Sequence, residues 1–151
     1  MAADLDQVRE LCAAWPAAAR ALAALWPGPL TLVLPARSEV PVEITAGTGT
    51  LAIRIPALAL TRALCRSAGP LVSTSANRAG AAPPLTCAAA VSAVGSAAAL
   101  ALDAGPGQPL ASTIVDLSQT RPRLLRAGAV SAAAIEQALG APLDRPGPEG
   151  L

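Results

Sequence analysis

The sequence contains no phenylalanine, tyrosine, lysine or histidine among its 151 residues. Without Phe and Tyr, the hydrophobic core must be aliphatic and built from Leu, Val, Ile and the abundant Ala. The absence of His and Lys excludes imidazole catalysis, lysine Schiff bases and histidine metal sites. All 11 positively charged side chains are therefore arginines. Any cationic binding site in the chain has to be made from guanidinium groups.

The net charge is also small, and cysteines are few. The formal net charge of +1 gives no support for the large nucleic-acid footprint of a strongly basic domain, and leaves open only weak or indirect RNA contact. Cys12, Cys65 and Cys87 are odd in number and far apart, so we expect reduced thiols of a cytoplasmic protein, not disulfides or a zinc site. The polar start MAADLDQVRE is unlike a signal peptide, and no apolar run reaches membrane-spanning length.

The pattern of apolar residues predicts strands and helices interspersed along one domain. We predict strands in the segments LTLVLP (30–35), TLAIRIP (50–56), the opening of LVSTSAN (71–77), ALALDAG (99–105), STIVDL (112–117) and PRLLRAG (122–128). We predict helices capped by Asp4, Thr86 and Ser131, one starting at Pro16 and one over 58–65.

Some neighbouring strands lie too close together in sequence for helical crossovers. The fold class is therefore α/β with a mixed sheet. We expect the domain to occupy residues 1–141, followed by a Pro/Gly-rich tail over 142–151.

The segment LVSTSAN places four small hydrogen-bonding side chains, Ser73, Thr74, Ser75 and Asn77, directly after an apolar stretch. Hydroxyls at the end of a buried strand suit an oxygen-rich ligand, because they both donate and accept, and a strand-to-loop turn adds backbone N–H groups. An ordinary turn is the alternative interpretation, since Ser and Asn are common turn residues.

Two arginines favour an anionic ligand. Arg54 takes an alternating position in an apolar strand, where an unpaired cation is costly, so it needs an anionic partner. That partner is either a protein carboxylate, Asp103 or Asp116, or a carboxylate or phosphate of a ligand. Arg126, at the end of another predicted strand, needs an anionic partner in the same way. Two such arginines beside a hydroxyl cluster indicate a small anionic ligand better than either feature alone.

Other motifs narrow the chemistry. Ser112 and Thr113 begin a further predicted strand, where they either join the ligand site or form hydrogen bonds across strands. The Gly-rich TAGTGT lacks the lysine and the helix that follow a phosphate-binding loop. No serine stands in a G-x-S-x-G elbow or near a histidine, so hydrolase triads are poor candidates.

Five segments together resemble the YrdC-like domain of L-threonylcarbamoyladenylate synthases: WPGPLTLVLP, TLAIRIP, PLVSTSANRAGAAPPLT, STIVDL and RLLRAGAVS. The resemblance implies an α/β fold, with a YrdC-like twisted mixed β-sheet flanked by helices, here N-terminally truncated. It implies a nucleotidyltransferase that forms threonylcarbamoyl-AMP and pyrophosphate from ATP, L-threonine and bicarbonate, with Mg²⁺. The product would pass to the machinery that makes N6-threonylcarbamoyladenosine in tRNA.

The resemblance also assigns binding residues, but no catalytic residue and no protein metal site. They are Thr50, Ser75, Pro83 and Arg126 for ATP, and Arg54, Ser73 and Ser112 for L-threonine. Arg54 would meet the threonine carboxylate, and Ser73 would contribute its main chain. Pro83 would contact ATP only through its backbone carbonyl, because many relatives have a serine there. Asn77 matches the asparagine of the family's S-A-N motif and is expected to hold the turn.

Relatives open with a further segment, in which a K-x-R motif holds the triphosphate and a histidine lies near the threonine site. This chain begins at about the point where that segment would end, and it has no lysine or histidine to replace those residues. We therefore expect the true start to lie upstream, and the chain alone to make little threonylcarbamoyl-AMP, because the triphosphate is not neutralised.

Two alternatives stay open. One is a genuine short form that binds nucleotide or RNA without catalysis. The other is a fragment of a hydrogenase-maturation carbamoyltransferase, since YrdC-like domains also occur in those enzymes.

Overall fold

The computed structural model describes residues 1–107 and 110–145 of the chain. These residues fall into two compact units, which are described separately below. The first unit comprises Met1–Val72 and Ala111–Leu151, and the second comprises Ser73–Leu110.

The first unit is built on a mixed sheet of four strands: β1 (Leu30–Pro35), β2 (Thr50–Ile53), β3 (Thr113–Asp116) and β4 (Arg123–Arg126). The order across the sheet is β2-β1-β3-β4, with β1 parallel to β3 and each outer strand antiparallel to its neighbour. In β1 every second residue is buried, so Leu30, Leu32 and Leu34 face the core. The parallel pairing of β1 and β3 is what makes the sheet mixed.

The helices of the described residues are, in chain order, α1 (Leu5–Leu11), α2 (Ala17–Leu22), α3 (Val42–Thr45), α4 (Ala59–Ala68), α5 (Cys87–Val94) and α6 (Ala132–Leu139). Short 3₁₀ turns extend α2 over Ala23–Leu25 and α5 over Gly95–Ala97. Helix α5 belongs to the second unit, and the others belong to the first.

All three predicted N-caps are confirmed. The carboxylate of Asp4 accepts the Gln7 N–H, and the hydroxyls of Thr86 and Ser131 accept the N–H three residues further on. Each cap satisfies one of the backbone donors that a helix start leaves free.

The core of the first unit is aliphatic, as the missing Phe and Tyr require. Its largest fully buried side chains include Leu22, Leu32, Ile53 and Ile135. Trp26 adds the one aromatic ring of the buried cluster in the described residues, and its indole N–H donates to the Leu30 carbonyl oxygen at 2.7 Å. This bond satisfies the polar atom of an otherwise apolar side chain.

Two predicted strands are wrong. Residues 98–107 contain no strand, and Leu100 and Leu102 are largely exposed, so the alternating pattern of ALALDAG has no sheet to join. The opening of LVSTSAN is also irregular. Its Leu71 exchanges backbone hydrogen bonds with Met1 and not with a strand of the sheet.

Several boundaries differ from the prediction, and β3 and β4 are each shorter than the predicted segments 112–117 and 122–128. Strand β2 ends at Ile53, because the next backbone groups bond elsewhere: the Arg54 carbonyl accepts from Ala2 and the Ile55 carbonyl from Gly28. The predicted helix 58–65 is α4, which runs on to Ala68. The segment between β1 and β2, where no element was predicted, contains the single-turn helix α3.

The start of the predicted tail packs against the sheet. Leu143 is buried, and Asp144 forms backbone hydrogen bonds with Pro122 and Leu124 at the β4 edge. Residues 146–151 of that tail lie outside the described residues. Among the described helices, none is long and apolar enough to cross a membrane.

Candidate functional site

Three of the predicted site residues meet at one end of the sheet. Because β1 runs parallel to β3 and antiparallel to β2, the starts of β1 and β3 and the end of β2 lie at the same end, as does the end of β4. Arg54 directly follows β2, Ser112 directly precedes β3, and Arg126 is the last residue of β4. Residues far apart in sequence are thereby collected at one place by strand pairing alone.

Arg126 and Ser112 are bonded directly. The Arg126 Nε and Nη2 donate to the Ser112 carbonyl oxygen at 3.0 and 2.8 Å, and Nη2 also donates to the Ser112 hydroxyl at 3.0 Å. Ser112 is only 7% exposed, whereas Arg126 is an exposed residue overall. One edge of the guanidinium is therefore anchored to the protein, in the bidentate manner that arginine allows.

Thr31, the second residue of β1, completes this group, although the sequence analysis did not single it out. Its hydroxyl lies 2.9 Å from the Ser112 hydroxyl, and either oxygen can be the donor. The sequence did contain an indication of its role, because Thr31 is a polar residue on the less buried face of an apolar strand. Its partner, 81 positions away, was not visible in the sequence.

Arg54 lies just beyond β2 and not within it, which corrects its predicted place in the strand. Its side chain is half-buried, and its polar contact in the first unit is a long one of 3.7 Å from Nη2 to the Met1 sulfur. Burial lowers the pKa of Arg54, and the nearby positive charge of Arg126 lowers that pKa further. Two cations thus share this end of the sheet.

The protein carboxylates predicted as partners of Arg54 are used elsewhere. Asp116 accepts hydrogen bonds from the N–H and the hydroxyl of Ser118, and Asp103, in the second unit, accepts the Gly105 N–H. Within the described part of the first unit, the ion pair present joins Arg145 to Glu136. Among the described residues of its own unit, Arg54 therefore has no carboxylate partner, which favours a ligand anion over a structural ion pair.

Thr113 and Gly128 fix the backbone around Ser112. The buried Thr113 hydroxyl donates to the Val130 carbonyl oxygen at 2.7 Å and accepts the Val130 N–H at 3.0 Å. A side chain at Gly128 would collide with the backbone of Ala111, Ser112 and Thr113, so only glycine permits this approach. The Ser112 hydroxyl thus bonds to Thr31 on the neighbouring strand, and Thr113 bonds to the segment at Val130. The predicted role of Ser112 in a ligand site stays a prediction.

Thr50 lies at the opposite end of β2, paired with Pro35. Arg54 lies four residues further along the extended chain, which corresponds to about 13 Å. The Thr50 hydroxyl lies 2.8 Å from that of Thr48. Beside it, an open depression of about 380 Å³ is lined by residues between Ala36 and Gly49. A single ligand that touches both Thr50 and Arg54 would have to be extended.

The second unit carries the remaining predicted residues, Ser73, Ser75 and Pro83, all in exposed irregular chain. The Asn77 side chain closes the loop between them. Its amide donates to the carbonyl oxygens of Arg78 and Ala81, as expected of a turn-holding asparagine. The Asn77 Oδ1 is buried without a hydrogen-bond partner in the described residues.

In the described ranges, 1–107 and 110–145, no group of three or more Cys, Asp or Glu side chains is placed to hold a metal ion. Cys12 and Cys65 are buried thiols, and burial raises the pKa of Cys12. The chemistry at the sheet end therefore comes from two guanidinium groups and two hydroxyls.

Comparison with known proteins finds a family model and several relatives that match this chain. The family model for Sua5, YciO and YrdC, described as "Telomere recombination", matches residues 1–128. The threonylcarbamoyl-AMP synthase of Bacillus subtilis is 34% identical over 142 residues, covering 91% of this chain and 41% of that protein. The enzyme of the same name from Chromobacterium violaceum is 49% identical over 82 residues, covering 53% of this chain and 42% of that one.

A solved structure gives the fold. P. abyssi Sua5, crystallised in complex with L-threonine, superposes with a TM-score of 0.89 at 33% identity, covering 95% of this chain and 43% of that one. The predicted fold, an α/β mixed sheet flanked by helices, is confirmed by this match. The chain spans about half the length of the curated relatives that it matches.

Proposed function

The chain belongs to the Sua5/YciO/YrdC family, and we propose that it supplies the L-threonine site and part of the ATP site of a threonylcarbamoyl-AMP synthase. The reaction joins the amino group of L-threonine to the carbon of bicarbonate and the resulting carbamate to AMP, with release of pyrophosphate and water. The product would serve downstream enzymes that modify tRNA in the cytoplasm.

The observation that carries the proposal is Arg54. It is a half-buried cation at the end of an edge strand, without a carboxylate in the described part of its own unit. A half-buried guanidinium without an anion is costly, and a bound carboxylate removes that cost while accepting two parallel N–H bonds. We assign the carboxylate of L-threonine to Arg54. The P. abyssi relative crystallised with L-threonine supports this ligand class.

Ser112 and Arg126 complete the threonine side and begin the nucleotide side. The Ser112 hydroxyl lies in the same cluster as Arg54 and is assigned to L-threonine. Arg126 is anchored through one edge of its guanidinium, and its remaining N–H groups are assigned to the nucleotide, where they would stabilise negative charge during adenylyl transfer.

Thr50 is assigned to the same ATP molecule. Its separation of about 13 Å from Arg54 puts the proposed ATP contact at Thr50 well away from the L-threonine carboxylate assigned to Arg54. In the second unit, the main chain at Ser73 is assigned to L-threonine, and Ser75 with the Pro83 carbonyl to ATP. Mg²⁺ would enter with the phosphates of ATP, in the manner usual for this ion. No residue of the chain is assigned as a general acid or base.

Binding tests this proposal on the chain as it stands, without requiring turnover. Titration calorimetry should show that Arg54→Ala weakens L-threonine at least about tenfold, as expected for loss of a charged hydrogen-bonded pair, and changes ATP affinity little. Arg66→Ala, on the exposed face of α4, is the matched control and should leave both affinities unchanged. Equal loss of both ligands with unfolding of the Arg54 variant would instead make Arg54 a structural residue.

A further inference from the structure

The Ser112 hydroxyl has three hydrogen-bonding positions, two that accept and one that donates. Arg126 Nη2 fills one accepting position. The Thr31 hydroxyl, at 2.9 Å, takes a second position whichever oxygen donates. One position is left, and its direction is set by the other two. Without Thr31, two positions would be open and the hydroxyl would rotate between them.

We propose that Thr31 is a positioning residue that orients the Ser112 hydroxyl toward the bound amino acid. This inference rests on the function proposed above. A fixed hydroxyl binds a ligand more strongly than a rotating one, because its orientation need not be fixed again on binding. Thr31 acts through Ser112 and is not itself assigned a contact with substrate.

The hydrogen bonds of two other threonines, Thr113 and Thr45, show how Thr31 differs from a purely structural residue. Thr113 and Thr45 bond to backbone groups, at Val130 and Val42 respectively, so their hydroxyls hold local backbone. The Thr31 hydroxyl makes no backbone hydrogen bond in the described residues, and its partner is the side chain of Ser112. Loss of this hydroxyl should therefore alter the site more than the fold.

The location supports the same conclusion. Thr31 lies on the less buried face of β1, at the sheet end that also carries Arg54 and Arg126. Ser112 is only 7% exposed and its hydroxyl is bonded to the Arg126 guanidinium, so the hydroxyl pair lies in a partly desolvated, cationic environment. Hydrogen bonds are stronger and more directional in such surroundings than in water.

The experiment compares Thr31→Val, which removes the hydroxyl at nearly constant shape, with Thr31→Ser, which keeps it. Calorimetric titration of the whole chain with L-threonine should give about five- to tenfold weaker binding for Thr31→Val. Thr31→Ser should bind within about twofold of the wild type. Thr45→Val removes a backbone-bonded hydroxyl of the same unit and is the control, with L-threonine affinity expected to stay unchanged.

A ligand-independent measurement separates this inference from the proposed function. The guanidinium N–H signals of Arg126, assigned by their loss in Arg126→Lys, should shift in Thr31→Val and return in Thr31→Ser, while all variants unfold within a few degrees of each other. Unchanged signals in Thr31→Val would overturn the positioning role, as would wild-type affinity for L-threonine. A wild-type chain that does not bind L-threonine, with signals that shift as expected, would overturn the proposed function and leave the orientation of Ser112 by Thr31 established.

Discussion

Arg126 and Ser112 are joined by three hydrogen bonds from one guanidinium group, two to the Ser112 carbonyl oxygen and one to its hydroxyl. All three come from Nε and Nη2. In the described residues, the Nη1 group makes no hydrogen bond, so it retains two donors. The side chain is thus held by one edge and presents the other. This arrangement orients a positive charge without consuming its ability to bind an anion.

Arg126→Lys keeps the positive charge but removes the planar fork, so it separates charge from geometry. We expect ATP affinity to fall about tenfold or more, because an ammonium group cannot bond the Ser112 carbonyl and hydroxyl while presenting two further parallel donors. The unfolding free energy should fall by roughly 1–2 kcal/mol for the lost hydrogen bonds. Titration calorimetry and urea unfolding measure the two effects.

The matched control is Arg123→Lys, at the other end of β4, where the side chain is exposed. It should change neither ATP affinity nor stability appreciably. An Arg126→Lys variant with wild-type ATP affinity would show that charge alone suffices and that the anchored geometry has no role in binding.

Gly128 holds the segment after Arg126 against the backbone before β3. A Cβ at this position would overlap the Ala111 carbonyl oxygen and lie 2.6 Å from the Thr113 nitrogen, and backbone atoms cannot move aside cheaply. Gly128→Ala should therefore destabilise the chain by roughly 2–3 kcal/mol in urea unfolding. Gly107→Ala is the control, since its Cβ would lie an ordinary 3.6 Å from the Leu85 carbonyl oxygen. Equal stabilities of the two variants would contradict the close approach.

Local features of the fold were predictable from the sequence because their causes are local. The caps Asp4, Thr86 and Ser131 each bond within the first turn of their own helix. Strand β1 was predicted at its observed bounds, since an apolar run between prolines contains its own boundaries. The strand prediction for ALALDAG was wrong for the opposite reason. Its alternating pattern is typical of a strand, but a strand also needs a pairing partner, and that pairing depends on the rest of the chain.

In the candidate site, too, contacts between residues far apart in the sequence could not be predicted. Arg54 and Arg126 were conspicuous because an arginine in an apolar segment demands an explanation, whereas Thr31 was not, because threonine is common in strands. What makes Thr31 notable is its contact with Ser112, across 81 positions of sequence. The sequence likewise could not show that Asp116, one of the two carboxylates predicted as alternative partners of Arg54, is bonded to Ser118.

Thr113 is expected to matter for stability and not for ligand selectivity. Its buried hydroxyl is the partner of both the N–H and the carbonyl oxygen of Val130. Thr113→Val should lower the unfolding free energy by about 1–3 kcal/mol, because two partly buried backbone groups lose their partner. Thr113→Ser keeps the hydroxyl and should retain most of that stability. A Thr113→Val variant as stable as Thr113→Ser would mean that water replaces the hydroxyl without loss.

Glu136 should make stability depend on pH in the acid range. Its carboxylate accepts the Leu143 N–H at 3.2 Å and a hydrogen bond from Arg145 at 3.1 Å. First the Leu143 N–H and then Arg145 hold the pKa of Glu136 below its ordinary value of 4.5. A carboxyl with a lower pKa in the folded state stabilises the fold above its unfolded pKa, and that contribution is lost as the pH falls through the folded pKa.

Carbon-detected NMR titration should therefore give a pKa below 4.5 for Glu136 in the wild type. Arg145→Ala should raise this pKa only part of the way, because the larger contribution, from the Leu143 N–H, is still present. Between pH 6 and pH 3, urea unfolding should show a steeper loss of stability for the wild type than for Glu136→Gln, which has no proton to bind. Parallel pH profiles for the two proteins, or a pKa at or above 4.5, would show that the Leu143 and Arg145 hydrogen bonds do not favour the ionised carboxylate.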